Sequence, residues 1–322
     1  MVEHVGSSSA DVKASEGENF PHSLRSRGGD TPYGPFDLCS AISISQNKPS
    51  VGKRCVMRSE AFLSLARGCL GNGFKDGWLT MIHEAYFDET GTHNKHLLTV
   101  AGLIADFDSW QRFYGRWIKL FGPDKAVAFK SDEANLEDLL AAGQLIGRTA
   151  MAGFCVHICP KAYEKTISQR FRSQHGSAYT VSLKEATSQV GMWANRRSDV
   201  KGQIAYFFDG GHRNQEQANN YFQRVFNKMP VERRKLRLAS WAFADDKVLW
   251  PLKAADVLAR GCLIKHSTGE TPLFMSAITE RIQVISAVIT DEGARGWVAQ
   301  LAQLYEDRKA VRKLLKRATL KP

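Results

Sequence analysis

The sequence predicts an α/β protein built on a mixed sheet of five strands flanked by helices. Residues 82–88 and 96–105 are consecutive segments rich in apolar, aromatic and β-branched side chains, as expected of an antiparallel strand pair. Residues 204–208 are all apolar, a pattern typical of a strand buried on both faces. Helical periodicity precedes and follows this central strand, and the alternation of helices and strands predicts the α/β class.

The other elements are predicted from apolar spacing and from breaker residues. Residues 107–121 carry large apolar side chains at helical spacing, and residues 136–146 form a second helix. A third strand at 151–159 stops at Pro160. Helices are then predicted at 178–196, 215–228, 251–265, 272–289 and 293–316, with further strands at 203–208 and 236–243. This order is that of an RNase H-like fold with a helical insertion at 107–146.

The chain divides into three regions by composition. Residues 1–80 are rich in Ser, Gly, Asn and Pro and lack a sustained period, so we expect them to be disordered or to form an upstream extension of a product that begins at Met81. Residues 81–270 form the predicted RNase H-like domain. Residues 271–322 are predicted to be helices packed on that domain or extending from it.

Composition argues against a membrane protein and against a secreted disulfide scaffold. Of the 322 residues, 43% are hydrophobic, but no window approaches the roughly 18 consecutive apolar residues of a membrane-spanning helix. The N-terminus has no basic segment followed by an apolar run, as a secretory signal would. The six cysteines are scattered along the chain. We therefore expect a cytoplasmic protein with reduced thiols.

The charge balance favours a polyanionic partner. The formal net charge is +11, and residues 81–322 contain 35 Lys and Arg against 25 Asp and Glu. Basic side chains that neutralise phosphates release condensed counterions, so nucleic acid, either DNA or RNA, is the expected partner. The basic segment at 308–321 is either a phosphate-facing surface or a solvated tail.

Acidic residues stand where the predicted topology would gather them. Asp88 and Glu89 end the first strand, Asp209 ends the central strand, and Asp256 lies in the helix after the fifth strand. Ligands of open α/β sheets bind beyond the carboxyl ends of strands, so these side chains can converge. Converging carboxylates form a hard oxygen site for Mg²⁺ or Mn²⁺. Two such ions can activate water for phosphodiester cleavage.

Each acid also has a purely structural interpretation. Asp209 precedes two glycines and could form a turn, and Asp256 lies at helical spacing from Lys253 and Arg260, so a surface ion pair would explain it. Glu89 projects to the strand face opposite Asp88. The secondary candidates are Glu185 on the preceding helix, Asp245 with its neighbour Asp246, and His212, three residues beyond Asp209.

Taken together, these motifs resemble the RNase H-like domain-of-unknown-function family 3800 of bacteria, phages and mobile elements. That family opens with Tyr-x-Asp-Glu-Ser-Gly, which residues 86–91 match with Thr in place of Ser. Its later Asp-Ser and Gln-x-Ala-Asp signatures are similar to residues 245–246 and 253–256, where Asp246 replaces Ser and Lys253 replaces Gln. The resemblance covers about residues 81–270 and implies a metal-dependent nuclease whose principal carboxylates are Asp88, Asp209 and Asp256.

Three functional hypotheses follow. The first is a phosphodiesterase in which Asp88, Asp209 and Asp256 bind metal and Glu89 is a further ligand or an orienting group. The second is a non-catalytic module that binds nucleic acid or another partner through its basic surface. The third is a structural metal site at residues 155–159, where alternation places Cys155, His157 and Cys159 on one strand face, although a straight strand rarely wraps three ligands around one ion.

The sequence lacks the motifs of two other enzyme classes, the serine or cysteine hydrolases and the nucleotide-driven motors. The sequence contains no Gly-x-Ser-x-Gly motif and no cysteine in a recognisable catalytic signature, which argues against a serine or cysteine hydrolase. It also lacks a glycine-rich loop ending in Lys-Ser or Lys-Thr, so a nucleotide-driven motor is not expected.

Overall fold

The computed structural model describes residues 83–91, 96–290, 292–293 and 295–296. In this part of the chain, six strands form one sheet: β1 (His83–Thr90), β2 (Leu98–Asp106), β3 (Ala152–Ile158), β4 (Ile204–Asp209), β5 (Leu238–Ala244) and β6 (Gln283–Ile289). The helices are α1 (Phe107–Phe121), α2 (Pro123–Ala128), α3 (Leu136–Thr149), α4 (Pro160–Thr166), α5 (Gln169–His175), α6 (Ala178–Asn195), α7 (Gln215–Lys228), α8 (Pro230–Lys235), α9 (Pro251–Thr268) and α10 (Leu273–Thr279).

The sheet is mixed, with the strand order β5-β4-β1-β2-β3-β6. Strand β2 runs antiparallel to both of its neighbours, β1 and β3, whereas β4 runs parallel to β1, β5 runs parallel to β4, and β6 runs parallel to β3. The carboxyl ends of β1, β4 and β5 therefore lie along the same edge of the sheet. The predicted α/β class with a mixed sheet flanked by helices is confirmed.

The predicted number of strands is wrong, because the sheet has six strands instead of five. The helix expected at 272–289 ends early: Leu273–Thr279 is helical, and Gln283–Ile289 forms the edge strand β6 beside β3. Four of the seven residues of β6 are Val or Ile, whose β-branched side chains suit a pleated strand. The sheet thus continues past residue 270, where the predicted domain ends.

Strand alternation divides the apolar side chains of the sheet between two cores. Tyr86 and Phe207 are stacked at 4.8 Å between ring centroids in the core beneath α1, α3 and α9. Phe87 and Phe208, at 5.6 Å, belong to the opposite core beneath α6 and α7. Successive side chains of a strand point to opposite faces. The acids that follow these aromatic residues therefore emerge on both faces at the edge of the sheet.

Gly102 makes room for the strand that carries the acids. It pairs with Phe87 across β1 and β2, and a Cβ atom placed on it would overlap the Phe87 ring. We expect Gly102→Ala to lower the free energy of unfolding by about 1–3 kcal/mol, because the ring has to leave its buried position. Chemical denaturation measures this loss, with Gly115→Ala, where no atom lies within 4 Å, as the control. Equal losses for the two variants would contradict the packing argument.

Several predictions concern residues outside the described ranges. They include the disorder of residues 1–80, most of the helix at 293–316 and the basic segment at 308–321. Within the described ranges, Cys155, Cys159 and Cys262 are free thiols. None of the helices described there combines the length and the apolar content needed to cross a membrane.

Candidate functional site

Strand pairing places Asp88 and Asp209 side by side. Phe87 pairs with Phe208 in the parallel register of β1 and β4, and the two acids are the next residues of their strands. Both acids are half-buried. One oxygen of Asp88, Oδ1, accepts a hydrogen bond of 2.6 Å from the backbone N–H of Glu89. The aromatic strands thus carry two carboxylates to the same edge of the sheet.

Helix α9 brings Asp256 to the same edge from below the sheet. Its two carboxylate oxygens accept hydrogen bonds of 2.8 Å from the backbone N–H and the hydroxyl of Ser131. The ion pair with Lys253 or Arg260 considered from the sequence is not formed, since no ion pair of the described residues includes Asp256. A segment of the helical insertion therefore holds this acid in place.

The clustered acids repel one another. Burial, followed by the negative charges of Asp256, Glu89 and Asp209, raises the pKa of Asp88 well above its ordinary value. Burial and the charge of Asp209 raise the pKa of Glu89 to about 8, and burial and the charge of Asp246 raise that of Asp209 to about 6. Burial also raises the pKa of Asp256. These acids favour a bound cation or proton at neutral pH.

A bridge of two lysines and one aspartate borders the cluster. Asp246 Oδ2 accepts hydrogen bonds from Lys130 Nζ at 2.6 Å and from Lys253 Nζ at 3.1 Å. Lys253 is 1% exposed and also donates to the carbonyl of Phe129 at 3.1 Å. Burial alone would raise the pKa of Asp246, but the two lysines outweigh it and lower that pKa. Asp246 is thus already neutralised by protein cations.

The secondary candidates lie in different places. Asp245 is exposed, and its Oδ1 accepts the backbone N–H of Lys247, so it stabilises the turn after β5. Glu185 accepts a hydrogen bond from Gln189 on its own helix, and no hydrogen bond or ion pair of the described residues joins it to the acidic cluster. His212 lies beside the cluster and stacks on the ring of Tyr179 at 3.7 Å.

Three side chains of the site were not identified from the sequence as site residues: Lys130, Ser131 and Tyr179. Lys130 and Ser131 lie in the insertion, more than a hundred residues before the acids they contact. The local sequence signal is the Ser-Asp-Glu run at 131–133, which is typical of a helix start, whereas the N-cap of α3 is Asn135. Tyr179 belonged to an apolar helical stripe and gave no separate signal.

A divalent ion matches the donor type of this cluster, but the ligands are not assembled around a single point. Carboxylate oxygens suit Mg²⁺ and Mn²⁺, and mutually repelling acids gain from a cation between them. However, no three Asp, Glu, His or Cys side chains of the described ranges are arranged to hold one ion. Asp256 is engaged by Ser131 and Asp246 by the lysines. Binding an ion would therefore require side chains of the cluster to turn towards it.

Cys155 and His157 are core residues of β3. The His157 ring contacts the Thr99 hydroxyl at 2.9 Å and Cys155 Sγ at 3.3 Å, and it stacks on His266 at 4.3 Å. Cys159 lies beyond the strand, at the N-cap of α4. The three residues considered as a strand-borne metal site do not form one, because no group of three ligands in the described part of the chain could hold an ion.

No protein-family model and no curated protein matches the chain.

The raised pKa of Glu89 predicts an unusual pH dependence of stability. An acid whose pKa is higher in the folded state binds more protons there, so stability falls as pH rises from the unfolded pKa to the folded one. Without metal, we expect the melting temperature to fall between pH 5 and pH 8. Glu84, whose pKa burial also raises to about 8, adds to this fall. Glu89→Gln should therefore lessen the fall without removing it, and an unchanged slope would contradict the assignment.

Proposed function

We propose that the protein is a phosphodiesterase that cleaves DNA or RNA with Mg²⁺ or Mn²⁺. One observation carries the proposal: Asp88 and Asp209 end neighbouring parallel strands, and burial, followed by the charges of Asp256, Glu89 and Asp209, raises the pKa of Asp88. Structural acids are normally exposed or paired with a cation, whereas these acids are half-buried and belong to no ion pair of the described residues. Clustered carboxylates of this kind are typical of sites that hold hard divalent ions.

Asp88, Asp209 and Asp256 would hold the metal, with Glu89 as a further ligand or an orienting group. When bound, the ion would activate water and stabilise the leaving oxygen of a phosphodiester. Glu89, on the opposite face of β1, would accept a hydrogen bond from the attacking water. Ser131 would orient Asp256, as outer groups orient metal ligands in general. Lys130, about half exposed beside Asp246, would attract substrate phosphate.

Two further features support nucleic acid as the substrate. The part of the chain after residue 80 has 35 basic against 25 acidic residues, which is +10 of the formal net charge of +11. The resemblance of residues 86–91, 245–246 and 253–256 to motifs of the RNase H-like domain-of-unknown-function family 3800 also favours a nuclease. A positive net charge attracts a phosphate backbone, and the carboxylate cluster would place its linkage at the metal.

The alternative is a non-catalytic module that binds nucleic acid or another partner. The observation that favours it is that Ser131 binds Asp256 and lysines bind Asp246, which leaves no ready set of three ligands among the described residues. Such a module would bind nucleic acid in a salt-sensitive manner without cleaving it. Its binding would survive Asp209→Asn, because the acids would have no role in it.

The test is a cleavage assay on single-stranded and double-stranded DNA and RNA. We expect the purified full-length chain to cut at least one substrate with Mg²⁺ or Mn²⁺, and to lose that activity with EDTA. Salt-sensitive binding without cleavage under any of these conditions would favour the non-catalytic module. Cleavage that persists in EDTA would contradict the proposed metal dependence.

A further inference from the structure

Tyr179 has a buried phenolic hydroxyl that forms no hydrogen bond with the described part of the chain. Its side chain is 1% exposed, and its hydroxyl has no hydrogen-bond partner within the described part of the chain. Buried hydroxyls almost always find partners, because an unmet hydrogen bond costs free energy. An unpaired hydroxyl beside a candidate site therefore points to a partner supplied by a ligand.

The Tyr179 ring stacks on His212, three residues beyond the end of β4 at Asp209, which places it near the acidic edge of the sheet. The Tyr179 ring belongs to the core that contains Phe87 and Phe208, the residues directly before Asp88 and Asp209. Burial first, and then the negative charges of Glu89, Asp88 and Asp209, raise the pKa of the phenol. Tyr179 thus approaches the cluster from the face of the sheet to which Glu89 points.

The position of the Tyr179 ring is fixed before any ligand arrives. His212 stacks on it with the planes 13° apart, and His212 Nδ1 accepts the backbone N–H of Asn214 at 3.0 Å. Two nearby residues, the N-cap Ser177 and Thr180, are bound to Gln217 of α7: the Ser177 N–H donates to its side-chain oxygen at 2.7 Å, and the Thr180 hydroxyl donates to the same oxygen at 3.1 Å. The hydroxyl is therefore preorganised, which lowers the entropy lost on binding.

The chemistry of the ligand follows from the chemistry of the hydroxyl. A divalent ion would be held by the carboxylates. It would leave the phenolic O–H without a partner, because the O–H donates a hydrogen bond and a cation cannot accept one. The acceptor has to be an oxygen that enters together with the cation, since the acids alone would repel an anion. A phosphate oxygen meets this requirement and forms a strong, charge-assisted hydrogen bond.

We propose that the Tyr179 hydroxyl binds a non-bridging phosphate oxygen of the substrate, on the side of the cluster opposite Asp256, with His212 holding the ring in place. The proposal rests on the proposed function, because the cation at the carboxylates makes the recess attractive to phosphate. It assigns Tyr179 to substrate binding and not to metal binding. The principal metal ligands would then lie on one face of the sheet, and the hydrogen-bond donor to phosphate, Tyr179, would lie on the other.

The test compares Tyr179→Phe with wild type by calorimetry, using Mn²⁺ alone and inorganic phosphate in the presence of Mg²⁺. We expect the dissociation constant for Mn²⁺ to change less than about twofold and that for phosphate to rise about 10-fold, as for the loss of a hydrogen bond to a charged group. The melting temperature should not fall, since the lost hydroxyl has no partner. The kcat/KM for the cleaved nucleic acid should fall by a similar factor.

Tyr163→Phe is the matched control, because the buried Tyr163 hydroxyl donates to the carbonyl of Gly176 at 2.9 Å. It should lower the melting temperature and leave phosphate binding unchanged. Equal phosphate affinity in Tyr179→Phe and wild type, no phosphate binding by wild type, or a loss of Mn²⁺ binding in Tyr179→Phe would each overturn the proposal. If phosphate binding depends on Tyr179 but the chain cleaves no nucleic acid, the role of Tyr179 is supported. Only the proposed nuclease activity is then refuted.

Discussion

Asp88→Asn is expected to reduce metal-dependent cleavage at least about 10²- to 10³-fold, the scale of losing one well-placed electrostatic group in an active site. Asp88 lies at the centre of the cluster, since the charges of Asp256, Glu89 and Asp209 all act on it. Asparagine keeps the shape of the side chain and removes the charge that would hold the cation. The rate of cleavage at saturating Mg²⁺, measured for both chains, checks the expectation.

The same substitution should not harm the metal-free fold. Three neighbouring acids repel the Asp88 carboxylate, so removing its charge removes this electrostatic repulsion. We therefore expect the melting temperature in EDTA at pH 8 to stay equal or rise. The matched control is Asp108→Asn, an exposed acid in the first turn of α1, at the opposite edge of the sheet. It should cleave like wild type. An unchanged rate for Asp88→Asn would remove Asp88 from the site.

Lys253→Met is expected to lower the free energy of unfolding by about 3 kcal/mol, the lower end of the range for breaking a buried ion pair. Lys253 is fully buried and binds both Asp246 and the carbonyl of Phe129. Methionine fills similar space but leaves Asp246 with Lys130 alone and leaves the Phe129 carbonyl without this donor. Denaturant titration gives the change in the free energy of unfolding.

An exposed ion pair provides the comparison for Lys253→Met. Lys125 pairs with Asp138 at 2.6 Å near the surface, and Lys125→Met should cost less than about 1 kcal/mol. Replacing Asp246 by asparagine in the Lys253→Met background should restore part of the lost stability, because it removes the uncompensated buried charge. A loss for Lys253→Met no larger than that for Lys125→Met would contradict the structural role of the bridge.

The acids of the site were predictable because each follows a strong local pattern. Asp88 and Asp209 end strands whose aromatic and apolar runs are visible in the sequence, and the carboxyl ends of neighbouring parallel strands share an edge. Glu89 was correctly placed on the opposite strand face by simple alternation. What alternation does not reveal is that this opposite face is also a buried part of the site, lined by the helix that carries Tyr179.

The contacts from the insertion were not predictable from local patterns. Ser131 holds Asp256 and Lys130 holds Asp246 across more than a hundred residues of chain, and nothing in either segment signals the other. The strand β6 was missed for a related reason. Its apolar residues also fit a helical stripe that continues from α10. The segment is a strand because it pairs with the edge of β3, and this pairing is not visible in the local sequence.

Calorimetric titration of the full-length chain with Mn²⁺, in wild type and in Asp88→Asn, tests the central claim most directly. We expect wild type to bind Mn²⁺ with release of protons, because carboxylates with raised pKa values lose their protons when they become ligands. Asp88→Asn should show no binding at the same concentrations. Equal Mn²⁺ binding by the two chains, or none by wild type, would contradict a metal site at the end of β1.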